Sequence, residues 1–413
     1  MAKTHIPFMQ TGTLVVGNRL LDEEDRSVQA WQDRPSTLTR GHRACQGCAE
    51  ALAARWVLDT AMEVTGGKLM VANATGCLEV FSTLYPESAW RVPWIHSLFA
   101  NAASVATGIA ATNHAKGRDD IRVIAQGGDG GTADIGLACL SGMFERNDDV
   151  LYVCYDNQAY MNTGVQRSGA TPPAARTATT PAVGNAPGNT FGQGKFMPKI
   201  AMAHEIPYVA TATVADLRDL EAKVRRAMRH RGARYIHILV TCPLGWGTKT
   251  ADSIKMARLA TQSGLFPVFE AEYGEIIGVT KIRSRVPVEA YLKPQRRFAH
   301  LFGANSDDAA LERIRGVAER NVRQYGLVGD PSAGASPGPG GTAAAAVASG
   351  TGAVNGGASG VDALAPNAIP AAAAYGTGAG GVIPRRDGIV HSAPRTAGLP
   401  PAPATPSASG GAA

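Results

Sequence analysis

Residues 121–136 read IRVIAQGGDGGTADIG, and this stretch decides the fold. Ile121–Ala125 is a short apolar run of the kind that forms a buried strand. It enters the glycine-rich turn Gly127–Gly131, and the pattern turns helical from Ala133 to Arg146. Strand, tight turn and helix start form a cradle for a phosphate. Glycines let the backbone come close, and the free N–H groups of a helix N-terminus face the anion. Alone the turn is weak evidence, because many glycine-rich turns only reverse the chain. It is neither the G-x-G-x-x-G dinucleotide fingerprint nor a Walker A loop, since no GK[ST] follows.

A second strand supplies a partner for it. Val150–Tyr155 (VLYVCY) runs into Asp156–Asn157–Gln158–Ala159–Tyr160, and Asn157 follows Asp129 by 28 residues. That separation fits one strand–helix–strand unit. It places both side chains at the carboxyl edge of one sheet, where open α/β sheets bind ligands. An Asp carboxylate, an Asn carbonyl and a nearby backbone carbonyl are hard oxygen ligands suited to Mg²⁺.

Further out the alternation continues. Helices are expected at Ala49–Thr65, Asn101–Lys116 and Val214–Arg231, and strands at Lys68–Ala72, Ile206–Thr211 and Tyr235–Thr241. Strands alternating with helices imply an α/β domain whose sheet is largely parallel and flanked by helices. Residues 1–35 read as an N-terminal arm and 36–303 as the cofactor domain, with 252–302 covering it. Residues 304–330 read as a closing segment. From 331 to 413 the chain is rich in Ala, Gly and Pro, too poor in apolar bulk to offset its ordering entropy, so that tail is expected to be disordered.

The chain has 413 residues, 45% of them hydrophobic, ample for a large core. Its net charge of +6 comes without a dense basic run, which argues against nucleic acid. The most basic stretch, Lys223–Arg234, reads as the exposed face of a helix. No apolar leader follows a basic start, and no apolar run reaches the roughly 18 residues of a membrane span, so a cytoplasmic protein is expected. In a reducing compartment clustered cysteines read as metal ligands before disulfides. Cys45 and Cys48 form a C-x-x-C pair, while Cys77 and Cys242 stand alone, the latter followed by Pro243. Four thiolates suit either tetrahedral Zn²⁺ or a [4Fe–4S] cluster, and spacing leaves both open. Cys139 and Cys154 sit in apolar patterns and are expected in the core.

GDG followed by Asn at this distance resembles the thiamine-diphosphate motif. GHRACQGC (41–48), NATGCLEV (73–80), AWRVPWIH (89–96), GGDGGTADIG (127–136), the block from Leu140 to Ser168 and VEAYLKPQRRF (288–298) extend the likeness. Together they resemble the beta, thiamine-diphosphate-binding subunit of pyruvate:ferredoxin oxidoreductases, over roughly residues 38–303. The resemblance implies a thiamine-diphosphate-binding fold. It implies a [4Fe–4S] cluster on Cys45, Cys48, Cys77 and Cys242, and Mg²⁺ on Asp129, Asn157 and the Ala159 carbonyl. It also implies a diphosphate against Gly128 and Gly130, and Asn162 beside thiazolium and substrate. The implied reaction converts pyruvate and coenzyme A to acetyl-CoA and CO₂, with electrons passing through the cluster to ferredoxin. Partners are then alpha, gamma and delta subunits, with no nucleic acid and no membrane. Two departures stand out. Phe99–Ala100–Asn101–Ala102 replaces a usual FENA, and Pro173–Ala174 follows Thr171–Pro172 where a glycine is usual.

Branched-chain 2-oxoacid and oxalate oxidoreductases share most of these stretches. A structural zinc protein with a phosphate-binding turn is the alternative of another class. The carboxylate that drives the aminopyrimidine tautomer is not assignable here and is expected from the alpha subunit. Glu79 is a candidate by adjacency only, and His96 reads as packed and hydrogen-bonded rather than as a general base.

Overall fold

The computed structural model describes residues 36–39, 41–83, 88–183, 187–192, 194–303 and 306–329. The expected N-terminal arm (1–35) and tail (331–413) lie outside them. In chain order the elements begin α1 (Ala49–Thr65), β1 (Leu69–Ala74), α2 (Cys77–Ser82), β2 (Trp94–Ser97), α3 (Ala102–Ala115) and β3 (Arg122–Gly128). A single π-turn (Gly131–Ile135) leads to α4 (Leu137–Glu145), β4 (Val150–Asp156), α5 (Met197–Met202), β5 (Tyr208–Thr213), α6 (Leu217–Arg229) and β6 (Arg234–Leu239). The chain continues through α7 (Pro243–Trp246), α8 (Ser253–Gln262), β7 (Phe269–Glu272), β8 (Glu275–Val279), α9 (Val288–Leu292) and α10 (Asp308–Tyr325).

The sheet has eight strands in the order β2-β1-β3-β4-β6-β5-β7-β8. The first six run parallel, and β7 and β8 are added by antiparallel pairing. The chain leaves β1 toward β2 but leaves β3 toward β4 on the other side. A crevice therefore opens between the carboxyl ends of β1 and β3, the switch point at which such sheets bind ligands.

Both sheet faces are covered, which is why the central strands are apolar throughout rather than alternating. On β4, Leu151, Val153 and Tyr155 enter one core beneath α1 and α6. Val150, Tyr152 and Cys154 enter the other, beneath α3, α4 and α5. A third core, with Trp246, Met256, Tyr291, Phe298 and Ile314, lies under α7 to α10.

The sequence bounds hold closely for α1, which ends at Gly66 in the left-handed region (φ 58°). Helix α6 starts at Asp216, whose side chain accepts from Arg218 N and Asp219 N at 3.1 and 3.0 Å. Elsewhere the structure corrects the expectation. The basic stretch is not simply an exposed face, because Lys223 and Arg234 are buried. Lys223 Nζ spans from Asp219 (2.6 Å) to the Thr211 carbonyl (2.9 Å), and Arg234 pairs with Asp149 at 2.9 Å. Cys154 is buried as expected, but Cys139 is only half-buried on the flank of α4. Strands β2, β7 and β8 and helix α2 carried no periodic signal, being four to six residues long. No described helix is long and apolar enough to cross a membrane.

Candidate functional site: the crevice between β1 and β3

Strand β3 carries its ladder through Gly128, so Asp129 emerges at the carboxyl end of the sheet. The next residues form the π-turn rather than a regular first helical turn. A Cβ on Gly130 would lie 2.2 Å from the Tyr160 ring, so no other residue fits there. The Tyr160 hydroxyl lies 3.1 Å from both Asp134 Oδ2 and the Gly130 carbonyl. Asp134 in turn accepts from Gly169 N (2.8 Å) and pairs with Lys195 (3.0 Å). Gly130→Ala is therefore expected to push Tyr160 out, break this tether and loosen the crevice. A melting curve and a titration with thiamine diphosphate check it, and the effect is expected to exceed the roughly 0.5 kcal/mol of an ordinary surface change.

Strand β4 delivers Asp156 and then a tight turn. Gln158 is left-handed (φ 70°), a conformation uncommon for a side chain of its size. Four groups hold it. Asp156 Oδ1 accepts from Gln158 N (2.8 Å) and the Gln158 carbonyl accepts from Thr171 Oγ1 (2.7 Å). Gln158 Oε1 accepts from Arg297 (2.6 Å), and the Asn157 carbonyl accepts from Trp246 Nε1 (2.8 Å). Asp156 itself pairs with His237 at 3.0 Å, beneath Tyr235.

The turn points three oxygens at one place. Asn157 Oδ1 lies 3.1 Å from Asp129 Oδ1 and 2.8 Å from the Ala159 carbonyl, and all three are acceptors. On its other side Asn157 Nδ2 donates to Glu50 Oε2 (3.4 Å) and faces Cys77 Sγ (3.9 Å). Rotating the amide would let its nitrogen donate to the first pair. A hard cation among the oxygens satisfies them without rotation. The second Asp129 oxygen accepts from Ser168 Oγ. Burial and the nearby Asp156 hold the Asp129 carboxyl well above the usual carboxylate range. It is a group awaiting a positive charge.

The four thiols gather beside this. Cys48 caps α1, Cys77 begins α2 and Cys242 caps α7, where Sγ accepts from Gly245 N at 3.3 Å. Cys45 lies one turn before Cys48, whose N–H donates to its carbonyl (3.0 Å). Cys77 lies within electrostatic reach of Cys48 and Cys242, and Cys242 within reach of Cys45. Burial pushes Cys48 up to about 12 and raises Cys77 and Cys242 as well. Among the described residues no three His, Cys, Asp or Glu side chains close around a single metal ion.

One crevice, lined by Glu50, Thr75 to Cys77, Phe99, Gly128 to Gly131 and residues of the 157–163 turn, joins the oxygens to the Cys77 thiol. Every site position expected from the sequence lines it except Cys45, Cys48 and Cys242. Asn162 is exposed at the mouth. His96 is exposed rather than packed away. It stacks on Trp94 and bonds Thr75 Oγ1 at 2.9 Å. Glu79 accepts from Thr83 Oγ1 (3.0 Å) on its own helix and does not line the crevice.

Glu50 went unread in the sequence. It is fully buried in the first turn of α1, between the thiols and Asn157, and burial pushes its carboxyl up to about 8. The available signal was an acid inside a helix start that is otherwise apolar. Because the folded value lies above the ordinary 4.5, the folded chain binds the extra proton. Glu50 thus favours folding below about pH 4.5, and that advantage is lost as pH rises to about 8. Melting of the metal-free chain is expected to fall across that window, and Glu50→Gln to flatten the slope. An unchanged slope in the variant refutes the assignment.

Residues 74–238 match the family described as thiamine pyrophosphate enzyme, C-terminal TPP binding domain. The chain is 47% identical over 291 residues to pyruvate synthase subunit PorB of Methanosarcina barkeri, covering 70% of this chain and 97% of that one. It is 46% identical over 294 residues to the same subunit of Methanocaldococcus jannaschii, covering 70% and 95%. Ketoisovalerate oxidoreductase subunit VorB of Pyrococcus horikoshii is 40% identical over 280 residues, covering 66% and 88%.

Proposed function

The chain belongs to the PorB family of pyruvate synthase subunits, thiamine-diphosphate-dependent enzymes of 2-oxoacid oxidation, and from that membership we propose how its residues divide the work. Residues 36–303 form the cofactor domain, closed by 304–330. Asp129, the Asn157 side-chain oxygen and the Ala159 carbonyl hold Mg²⁺. Gly128 and Gly130 would form the turn that holds the diphosphate. Cys45, Cys48, Cys77 and Cys242 hold a [4Fe–4S] cluster. The convergence of three acceptor oxygens in a crevice that Cys77 also lines carries this reading.

When bound, thiamine diphosphate supplies the nucleophilic carbon and electron sink for decarboxylation, and the cluster supplies one-electron acceptance toward ferredoxin. The protein's own part is placement and charge. Ser168 fixes one Asp129 oxygen so that the other faces the metal. Burial pushes the Glu50 carboxyl up to about 8, which disfavours its negative charge beside Asp129. Asn162 at the mouth meets the 2-oxoacid. Pyruvate is the favoured substrate and coenzyme A the acyl acceptor, since the PorB relatives are more similar than the ketoisovalerate one.

The crevice is read as half of an active site. Its only carboxyls are Glu50 and Asp129, both turned toward the metal and thiols. Exposed Val80, Leu98 and Ile135 lie on the segments around its mouth, an apolar surface that suits an alpha subunit bringing the missing carboxylate. Gamma and delta subunits complete the complex, in a reducing cytoplasm. Anaerobic purification with co-purifying subunits, followed by a visible spectrum and iron, sulfide and zinc analysis, tests the assignment. About four irons and four sulfides per chain, with colour that bleaches on reduction, support it. One zinc and no colour overturn it, as does robust turnover by this chain alone.

A further inference from the structure

Gln295–Phe298 ends the last of the resembling stretches and takes no part in the chemistry above. Its Arg297 is buried, with 6% of its surface exposed. The guanidinium donates to Gln295 Oε1 (2.8 Å) and Gln158 Oε1 (2.6 Å), and stacks over the Trp246 ring at 4.1 Å. These partners are neutral. Among the described residues no carboxylate lies within ion-pair distance of it, and the nearest negative charge is Asp156, which is hydrogen-bonded to His237 (3.0 Å). A buried charge is costly, and further negative charge close by would be stabilising.

Two contacts show where. Trp246 sits on α7 with Cys242 at that helix's cap, and the Cys242 thiol feels the Arg297 charge. The Trp246 ring nitrogen also bonds the Asn157 carbonyl at 2.8 Å. The cation is thus held between the helix of one thiol and the turn that carries Asn157 and Ala159. Four cysteines that bind metal must lose their protons, and this adds negative charge on the Cys242 side of the guanidinium.

We propose that Arg297 is a positioning residue, the fixed counter-charge of the group on Cys45, Cys48, Cys77 and Cys242, and that it raises that group's reduction potential. The proposal rests on the cluster reading above. An electron given by an external reductant adds one negative charge at the thiolates, and a nearby fixed cation favours that reduced state. No proton needs to move with it.

The test is a redox titration of the full chain in its co-purified complex, loaded anaerobically and poised with dithionite and mediators. Midpoint potentials are read by electron paramagnetic resonance. Arg297→Gln keeps a hydrogen bond to Gln158 and removes the charge, and its potential is expected to be more negative. Arg297→Lys keeps the charge and is expected near wild type. Gln158→Glu sets a carboxylate against the guanidinium with little change of shape. It is expected to lower the potential as Arg297→Gln does, and it serves if that variant fails to fold. Potentials that coincide in wild type, Arg297→Gln and Gln158→Glu overturn the proposal while leaving the cluster in place, as does a shift in Arg297→Lys as large as in Arg297→Gln. A wild-type chain that holds no iron overturns the cluster reading and this inference with it.

Discussion

Asp129→Asn is expected to abolish turnover and weaken Mg²⁺–thiamine diphosphate binding by more than 100-fold, while leaving the metal-free chain as stable as wild type or more so. Changes to groups that merely orient metal ligands cost roughly 10–100-fold, and Asp129 is proposed as the only charged ligand of its metal. The carboxylate is buried beside Asp156 and held well above its ordinary range. Without a cation its charge is a burden on the fold, so a neutral isostere that can still accept from Ser168 Oγ relieves the strain. Loss of function and gain of stability from one substitution distinguish a cation ligand from a structural residue. Isothermal titration with the cofactor and a melting curve in chelator measure the two arms. Turnover within about 3-fold of wild type, roughly 0.7 kcal/mol in the barrier, refutes the assignment.

Cys77→Ser is expected to remove both electron delivery and part of the cofactor's seat. Its thiol starts α2 at the carboxyl end of β1, and it faces Asn157 Nδ2 at 3.9 Å. It is the one cysteine that lines the crevice itself. A hydroxyl there neither ionises nor binds iron as a thiolate does. Iron per chain is expected to fall well below about four, and ferredoxin-linked oxidation to drop by more than the 10–100-fold cost of losing an outer partner. Cofactor affinity should fall as well, because Asn157 loses one of its two partners on that side. Cys139→Ser, on the flank of α4, is the control and should keep its iron. Equal iron in both variants refutes the ligand set. Because burial raises three of the thiols, cluster assembly must expel protons and should slow as pH falls.

Part of this was written in the sequence. The parallel sheet was legible because strands buried on both faces are continuous apolar runs, as at Val150–Tyr155, and because each ends in residues with a single use. Glycine at 128 and 130, Asp129 and Asn157 are local statements: one position needs no side chain, the next needs a hard oxygen. Their separation by one strand–helix–strand unit set them on the same edge. The family resemblance rests on the same local chemistry and on the cysteine-bearing stretches.

The rest depended on contacts far apart in the chain. No spacing rule links Glu50 to Asn157, residues 107 apart, or Arg297 to Gln158, residues 139 apart. The short strands β2, β7 and β8 carry too few residues for a period to show, and their neighbours in the sheet define them. Lys223 and Arg234 look like surface charge in sequence, but each is neutralised inside the fold by carboxylates or carbonyls the pattern cannot name. Sequence by itself determined the residue types proposed to bind metal, phosphate and thiolate-held iron, because those are properties of single side chains at short range. Only the tertiary structure decided which buried charges stand beside them, because burial and the distance between charges are fixed by packing and not by order along the chain.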